Sequence, residues 1–222
     1  MALLSTDEIN NIQLYFEEMD ISESEKFNRI NLCQDLFYVF YYIFAVVVAD
    51  LKINGIVNVA KTAKDLAKRI NDVIKESDYS FILNSIEIEE YSNDISKKLV
   101  ESTMRNTPVE SKQSQNYVPA PEANSQYWDS KDRAIKVAQD ITNVIANYSE
   151  LQIKKEEGYT HKTWVSILDD KTRNSHWLAW GKTVPIDEAF EIGGYKMMCP
   201  CDHTAPAQEI ANCRCSLHYS KQ

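Results

Sequence analysis

The run Leu36–Ala49, LFYVFYYIFAVVVA, constrains this chain more than any other feature. It is 14 residues without a break, bounded by Asp35 and Asp50. A helix rises about 1.5 Å per residue and needs about 20 residues to cross the hydrocarbon of a bilayer, so the run is too short for a span. Apolar side chains fall all round a helix drawn through 32–51, the pattern of a helix buried on most sides. The β-branched and aromatic content would also suit a strand, but the length favours a helix. Something must cover this segment. With 222 residues, 44% of them apolar, the chain can build a core of its own, in one or two domains.

The rest of the N-terminal region reads as helices. Only 5 glycines occur, and four of them follow residue 150, so sharp turns are scarce before that point. Ser5-Thr6-Asp7-Glu8 has the form of a capping box opening a helix. After Asn54-Gly55, Val57, Val59, Ala60, Ala63, Leu66, Ala67, Ile70, Val73 and Ile74 recur at helical spacing with Lys and Asp on the other face. A further helix is expected over about 86–104, with Ile95, Leu99 and Val100 inward. Residues 107–126, TPVESKQSQNYVPAPEANSQ, hold Pro108, Pro119 and Pro121 among polar residues and read as a linker or extended arm. The expected domains are thus a helical region 1–106, the linker 107–126 and a C-terminal domain 127–222.

Net charge is −9. Residues 1–150 carry 15 Lys and Arg against 24 Asp and Glu, while residues 151–222 are balanced at 9 of each. The acidic part repels phosphate backbones, which excludes broad nucleic-acid binding there. Weak local contact with DNA is left to Arg173, Lys182 or Arg214 in the neutral part. Met1–Glu8 lacks the basic and then apolar pattern of a secretory signal, so a reducing compartment is expected.

Beyond the linker a long helix is expected over 130–157, ended by Gly158 as a left-handed cap. After it the period changes. Short strands around 163–167, 183–185, 195–198 and 214–219, with a turn of helix near Asn174–Ala179, make a small α+β unit over 159–220. The fold class is therefore α+β, mainly helical before the long helix. So small a unit buries little and calls for a staple. Of the 5 cysteines, Cys199, Cys201, Cys213 and Cys215 fall within the last 24 residues. In a reducing compartment clustered cysteines bind metal more often than they form disulfides. Cys33 reads as a small buried apolar residue.

One ordered string runs through that unit. It comprises Trp164, Asp169, Thr172, Arg173, His176, Gly181, Pro185, Asp187, Glu188, Phe190, Gly193 or Gly194, Pro200, Asp202, Asn212, Cys213, Arg214 and Cys215. In order and spacing it resembles the signature of the phage Mu F-like minor head proteins, the phage head morphogenesis family. With the lead-in helix from Tyr127-Trp128 the resemblance covers roughly 95 residues. Relatives of this type usually carry Gly where this chain has Cys201, and some carry a Cys-x-x-Cys pair where it has Arg173-Asn174-Ser175-His176.

The residues leave three chemistries open. His176, Cys199, Cys201, Cys213 and Cys215, with Asp202 and His203 nearby, could hold zinc, which takes four N or S ligands. On a strand, Cys213 and Cys215 would face one side. Alternatively the motif is structural without metal. Asp169 and Asp187 would then accept bonds from Arg173 and Arg214, Asn212 and Asp202 would make turns, and Trp164, Trp177, Trp180 and Phe190 would fill the core. The third is catalysis by an Asp169, His176 and Cys213 arrangement, as in a virion-carried hydrolase or toxin-like enzyme.

The resemblance implies a structural, non-enzymatic component of the phage head. It would meet the portal and other capsid proteins during head morphogenesis and DNA packaging or ejection, with no membrane role. It would sit in an oligomeric particle assembled in the bacterial host cytoplasm. Tyr38, Tyr41 and Phe44 on the apolar run are the expected partner-binding residues.

Overall fold

The computed structural model describes residues 3–84, 86–107 and 127–222. Its helices are α1 (Thr6–Glu17), α2 (Glu23–Asn54), α3 (Val59–Glu76), α4 (Ile86–Asn106) and α5 (Lys131–Glu156), with a 3-10 turn at Ser80–Asn84. There follow β1 (His161–Val165), α6 (Asn174–Ala179), β2 (Thr183–Pro185), β3 (Phe190–Ile192), β4 (Tyr195–Met197), α7 (Ala207–Ile210) and β5 (Ser216–Ser220). The protein is α+β, as expected. The linker expected over 107–126 lies, from 108 onward, outside the described residues.

Two compact units form, Met1–Cys33 with Gln139–Gln222, and Gln34–Ala138. The divisions run through α2 and α5 instead of following the expected boundaries at 106 and 127. The segment before the division in α2 bonds into the C-terminal unit. The Tyr15 hydroxyl donates to the Cys213 carbonyl at 2.9 Å, the Ser216 hydroxyl donates to the Asp20 carbonyl at 3.0 Å, and Arg214 bonds Glu18.

In the unit 34–138, Leu36, Phe37, Phe40, Ile43, Phe44 and Val47 of α2 are buried. Phe37 stacks on Tyr41 at 5.7 Å between ring centroids, and the Arg133 guanidinium lies 3.8 Å over the Phe44 ring. α3 packs on α4 through one apolar face that includes Leu66, Ile70 and Ile74. The helix α2 is longer than the apolar run, at 32 residues, and is long and apolar enough to cross a membrane by length and composition alone. The length argument therefore does not carry over from run to helix; Phe37, Phe40 and Phe44 pack inward, while Tyr42 is exposed. Phe44 is fully buried, which removes it from the expected partner-binding set, while Tyr38 and Tyr41 are half-buried.

The other unit is built on α5 and two small sheets. β1 is the middle strand of a sheet ordered β2-β1-β5, antiparallel throughout, with Trp164 opposite Leu217. β3 and β4 form a hairpin. Between them, Gly193 and Gly194 both take positive φ, 59° and 86°. α5 ends as anticipated at Gly158, φ 76°, whose N–H bonds the Lys155 carbonyl.

Candidate metal centre

The hub of the small unit is His176, on the short helix α6 and 1% exposed. The Trp164 ring meets it edge-on, with centroids 5.5 Å apart, and Phe190 meets the same indole at 5.3 Å. Trp164 Nε1 donates to Ser166 Oγ, which donates to the His176 carbonyl at 2.8 Å. The imidazole is thus held from its backbone and from one face.

The His176 Nδ1 atom lies 3.6 Å from Cys213 Sγ and 3.4 Å from Cys215 Sγ. All three ligand atoms lie within 4.8 Å of one another and all three residues are buried, so the group could hold a metal ion. Metal–N and metal–S bonds of about 2.05 and 2.3 Å at a tetrahedral angle set N and S about 3.6 Å apart, matching the observed spacing. The other ring nitrogen, Nε2, is buried with no hydrogen-bond partner among the described residues; Glu209 Oε2 stands 3.4 Å away. Metal-binding imidazoles commonly present their second N–H to a carboxylate, which fixes the tautomer. Ser175 Oγ donates to that same oxygen at 2.9 Å. Room for the carboxylate comes from Gly193, where a Cβ would stand 2.6 Å from Glu209 Oε1.

Cys213 and Cys215 do converge, but not by strand alternation: both precede β5, in a loop in which Asn212 takes φ 55°. Asn residues tolerate this left-handed conformation, and the Asn212 N–H donates to Asp140 Oδ1 at 2.6 Å. The Cys213 carbonyl is clasped by Tyr15 Oη and, at 3.0 Å, by Asn143 Nδ2. Asn147 Nδ2 donates to the Pro200 carbonyl at 3.0 Å. Both amide oxygens accept from the buried Arg29 guanidinium at 3.0 Å, and Arg29 Nε pairs with Glu25 at 2.9 Å. A polar network from α2 and α5 therefore fixes both cysteine loops. Nothing local in the sequence announces it, because Arg29 is separated from Asn143 by 114 positions.

Cys199 and Cys201 are buried but fall outside the mutual group. Cys201 Sγ points to the Cys213 carbonyl at 3.7 Å. All five cysteines are free thiols. The Cys213 thiol is held well above its ordinary pKa by its hydrogen bond with Cys201, with burial adding to this. That of Cys215 is raised by its bond with Cys213 and then by burial. Without a metal these are protonated thiols, poor nucleophiles.

The remaining motif residues brace the unit. Asp169 accepts from Arg214 Nη2 through both oxygens at 2.8 Å. Thr172 Oγ1 donates to Asp169 at 3.0 Å and to the Ile167 carbonyl. Arg173 does not pair with Asp187: it donates to the carbonyls of Gln208, at 2.6 Å, and Ala211. Asp187 pairs with Lys155 at 2.9 Å. Arg173 and Arg214 are thus both engaged internally. Asp202 accepts from the Met198 and Thr204 N–H groups at 2.7 and 3.0 Å. Gly181, φ 77°, donates to the Trp164 carbonyl at 2.9 Å. His203 Nδ1 is 3.9 Å from Asp202 Oδ1.

Two expectations are corrected. Asp169 is turned to Arg214, so the carboxylate facing His176 is that of Glu209. Trp177 and Trp180 are 48% and 55% exposed, because the brief α6 turns one face to Trp164 and leaves the next residue outside. Lys162, unmarked in the sequence, is fully buried and donates to the Met198 carbonyl at 2.8 Å; burial lowers its pKa to about 8. No family model, curated protein or solved structure matches this chain.

Proposed function

We propose that this chain is a minor head protein of a phage particle, a structural part whose C-terminal unit is stapled by zinc. The observation that carries the reading is the closure of the signature from Trp164 to Cys215 on itself. The indole of Trp164 rests on His176, Arg214 reaches back to Asp169, and the two thiols meet the imidazole. Residues spread along that string share one brace, as expected of a unit selected to hold shape.

Zinc suits the donors. Two thiolates and an imidazole match a borderline-soft ion with no redox chemistry, and Glu209 supplies the outer carboxylate. The ion would contribute bonds that so small a core lacks. A nucleophilic role for Cys213 is disfavoured by its burial, at 2% exposure, and by its protonated state.

In this reading the partners are the portal and other capsid proteins, met in the host cytoplasm during assembly. Mass spectrometry of purified particles of the phage that encodes the chain should find it at fewer copies than the major capsid protein. Its absence from particles would remove the assignment. Elemental analysis of reduced, purified protein should give one equivalent of zinc, lost in Cys213→Ser; metal-free wild type would remove the staple.

A further inference from the structure

Three ligands leave a structural zinc site one short, and the loop Cys199–Asp202 contains a buried thiol on a residue of positive φ. The Asp202 N–H donates to the Cys199 carbonyl at 3.2 Å, closing a four-residue turn. Pro200 is its second residue, and Cys201 its third, with φ 66°. A turn with Pro second and positive φ third calls for Gly at that third position. A cysteine there is strained, and strain retained in a native fold points to a use for the side chain.

Hydrogen bonding does not supply that use. The turn is already held by Asn147 on the Pro200 carbonyl and by Asp202 on the Met198 and Thr204 N–H groups. The Cys201 thiol donates at 3.7 Å to the Cys213 carbonyl, which already accepts from Tyr15 and Asn143 at 2.9 and 3.0 Å. A thiol is the weakest of these three donors. It can therefore leave at little loss. It is buried, at 1% exposure, and in direct contact with the Cys213 thiol. Cys199, the alternative, is buried and has Asp202 and Lys162 as well as Cys213 for charged or polar neighbours.

We infer that Cys201 is the fourth zinc ligand, turning from the Cys213 carbonyl onto the ion to complete a Cys201, Cys213, Cys215 and His176 site, and that Cys199 takes no part. This rests on the zinc reading above. Binding exchanges thiol protons for metal–sulfur bonds: each coordinating cysteine releases one proton to solvent and no electron moves.

The test uses the full chain, stripped of metal under reducing conditions and titrated with Co(II), then with zinc in competition. Cys201→Gly is the informative variant, because its backbone suits glycine and the apo protein should unfold at no lower temperature than wild type. Wild type should bind one Co(II) with thiolate charge-transfer absorption for three sulfurs. Cys201→Gly should lose about a third of that absorption and weaken zinc binding by at least about tenfold. Cys199→Ser should match wild type. Wild-type absorption and affinity in Cys201→Gly, or their loss in Cys199→Ser, overturns the inference and leaves the zinc staple standing. Failure of wild type to bind either metal overturns both.

Discussion

Glu209 Oε2 stands 3.4 Å from His176 Nε2. In the proposed zinc site that carboxylate would favour the tautomer that leaves Nδ1 to the metal. Glu209→Gln should therefore weaken zinc binding roughly 10- to 100-fold while the apo fold survives, read by competition with a chromophoric chelator. Unchanged affinity would show that the two groups are merely adjacent. A second residue-scale effect sits at Glu150, half-buried on α5. Burial raises its pKa to about 7, against the opposing pull of Arg29. Folding thus retains a proton that the unfolded chain gives up in the ordinary carboxylate range. The associated stability is present at low pH and is lost as pH rises through about 7. Glu150→Gln should flatten the fall in urea midpoint between about pH 5 and 8; a slope equal to wild type would contradict the argument. At this scale, the sequence marked His176, Cys213 and Cys215, because thiols and imidazoles advertise their chemistry by type. It could not mark Glu209, Tyr15, Asn143 or Asn147. These are ordinary polar residues whose roles exist only once distant segments meet.

At the scale of elements, local signals worked where local physics decides. The capping box at Ser5 and Glu8 forms, with Ser5 N–H to Glu8 Oε2 at 2.6 Å and Glu8 N–H to Ser5 Oγ at 3.2 Å. The ends of α5 and the α6 turn lie close to expectation for the same reason. Side-chain destinations in the small unit were harder. Trp164 and Trp177 look alike in sequence, yet one is fully buried and the other half out. A short helix has no long periodic face to read, so its orientation is set by neighbours. Trp164→Ala should cost about 3–5 kcal/mol by urea denaturation, whereas Trp177→Ala should stay within about 0.5 kcal/mol. Equal losses would mean that α6 is buried differently.

For the whole molecule, the partition into units was the least legible feature. The expected boundaries followed composition, whereas the observed divisions run inside α2 and α5. A continuous helix keeps its hydrogen bonds while its neighbours change, so no break in sequence marks the crossing. If zinc staples the unit as proposed, an excess of chelator should lower the thermal unfolding midpoint of reduced protein; free zinc at 100 times its Kd would contribute about 2.7 kcal/mol. A midpoint indifferent to chelator would argue for a brace made of hydrogen bonds alone. The partition also orders events at the ribosome. Tyr15 and Glu18 leave the exit tunnel early, but the carbonyl and guanidinium they bond, at Cys213 and Arg214, are separated from them by 198 and 196 positions. At about 5–20 residues per second, the nascent α1 waits roughly 10–40 s for its lodging, with Ile12 and Phe16 uncovered meanwhile. The α1 segment is thus made well before the segment that seats it.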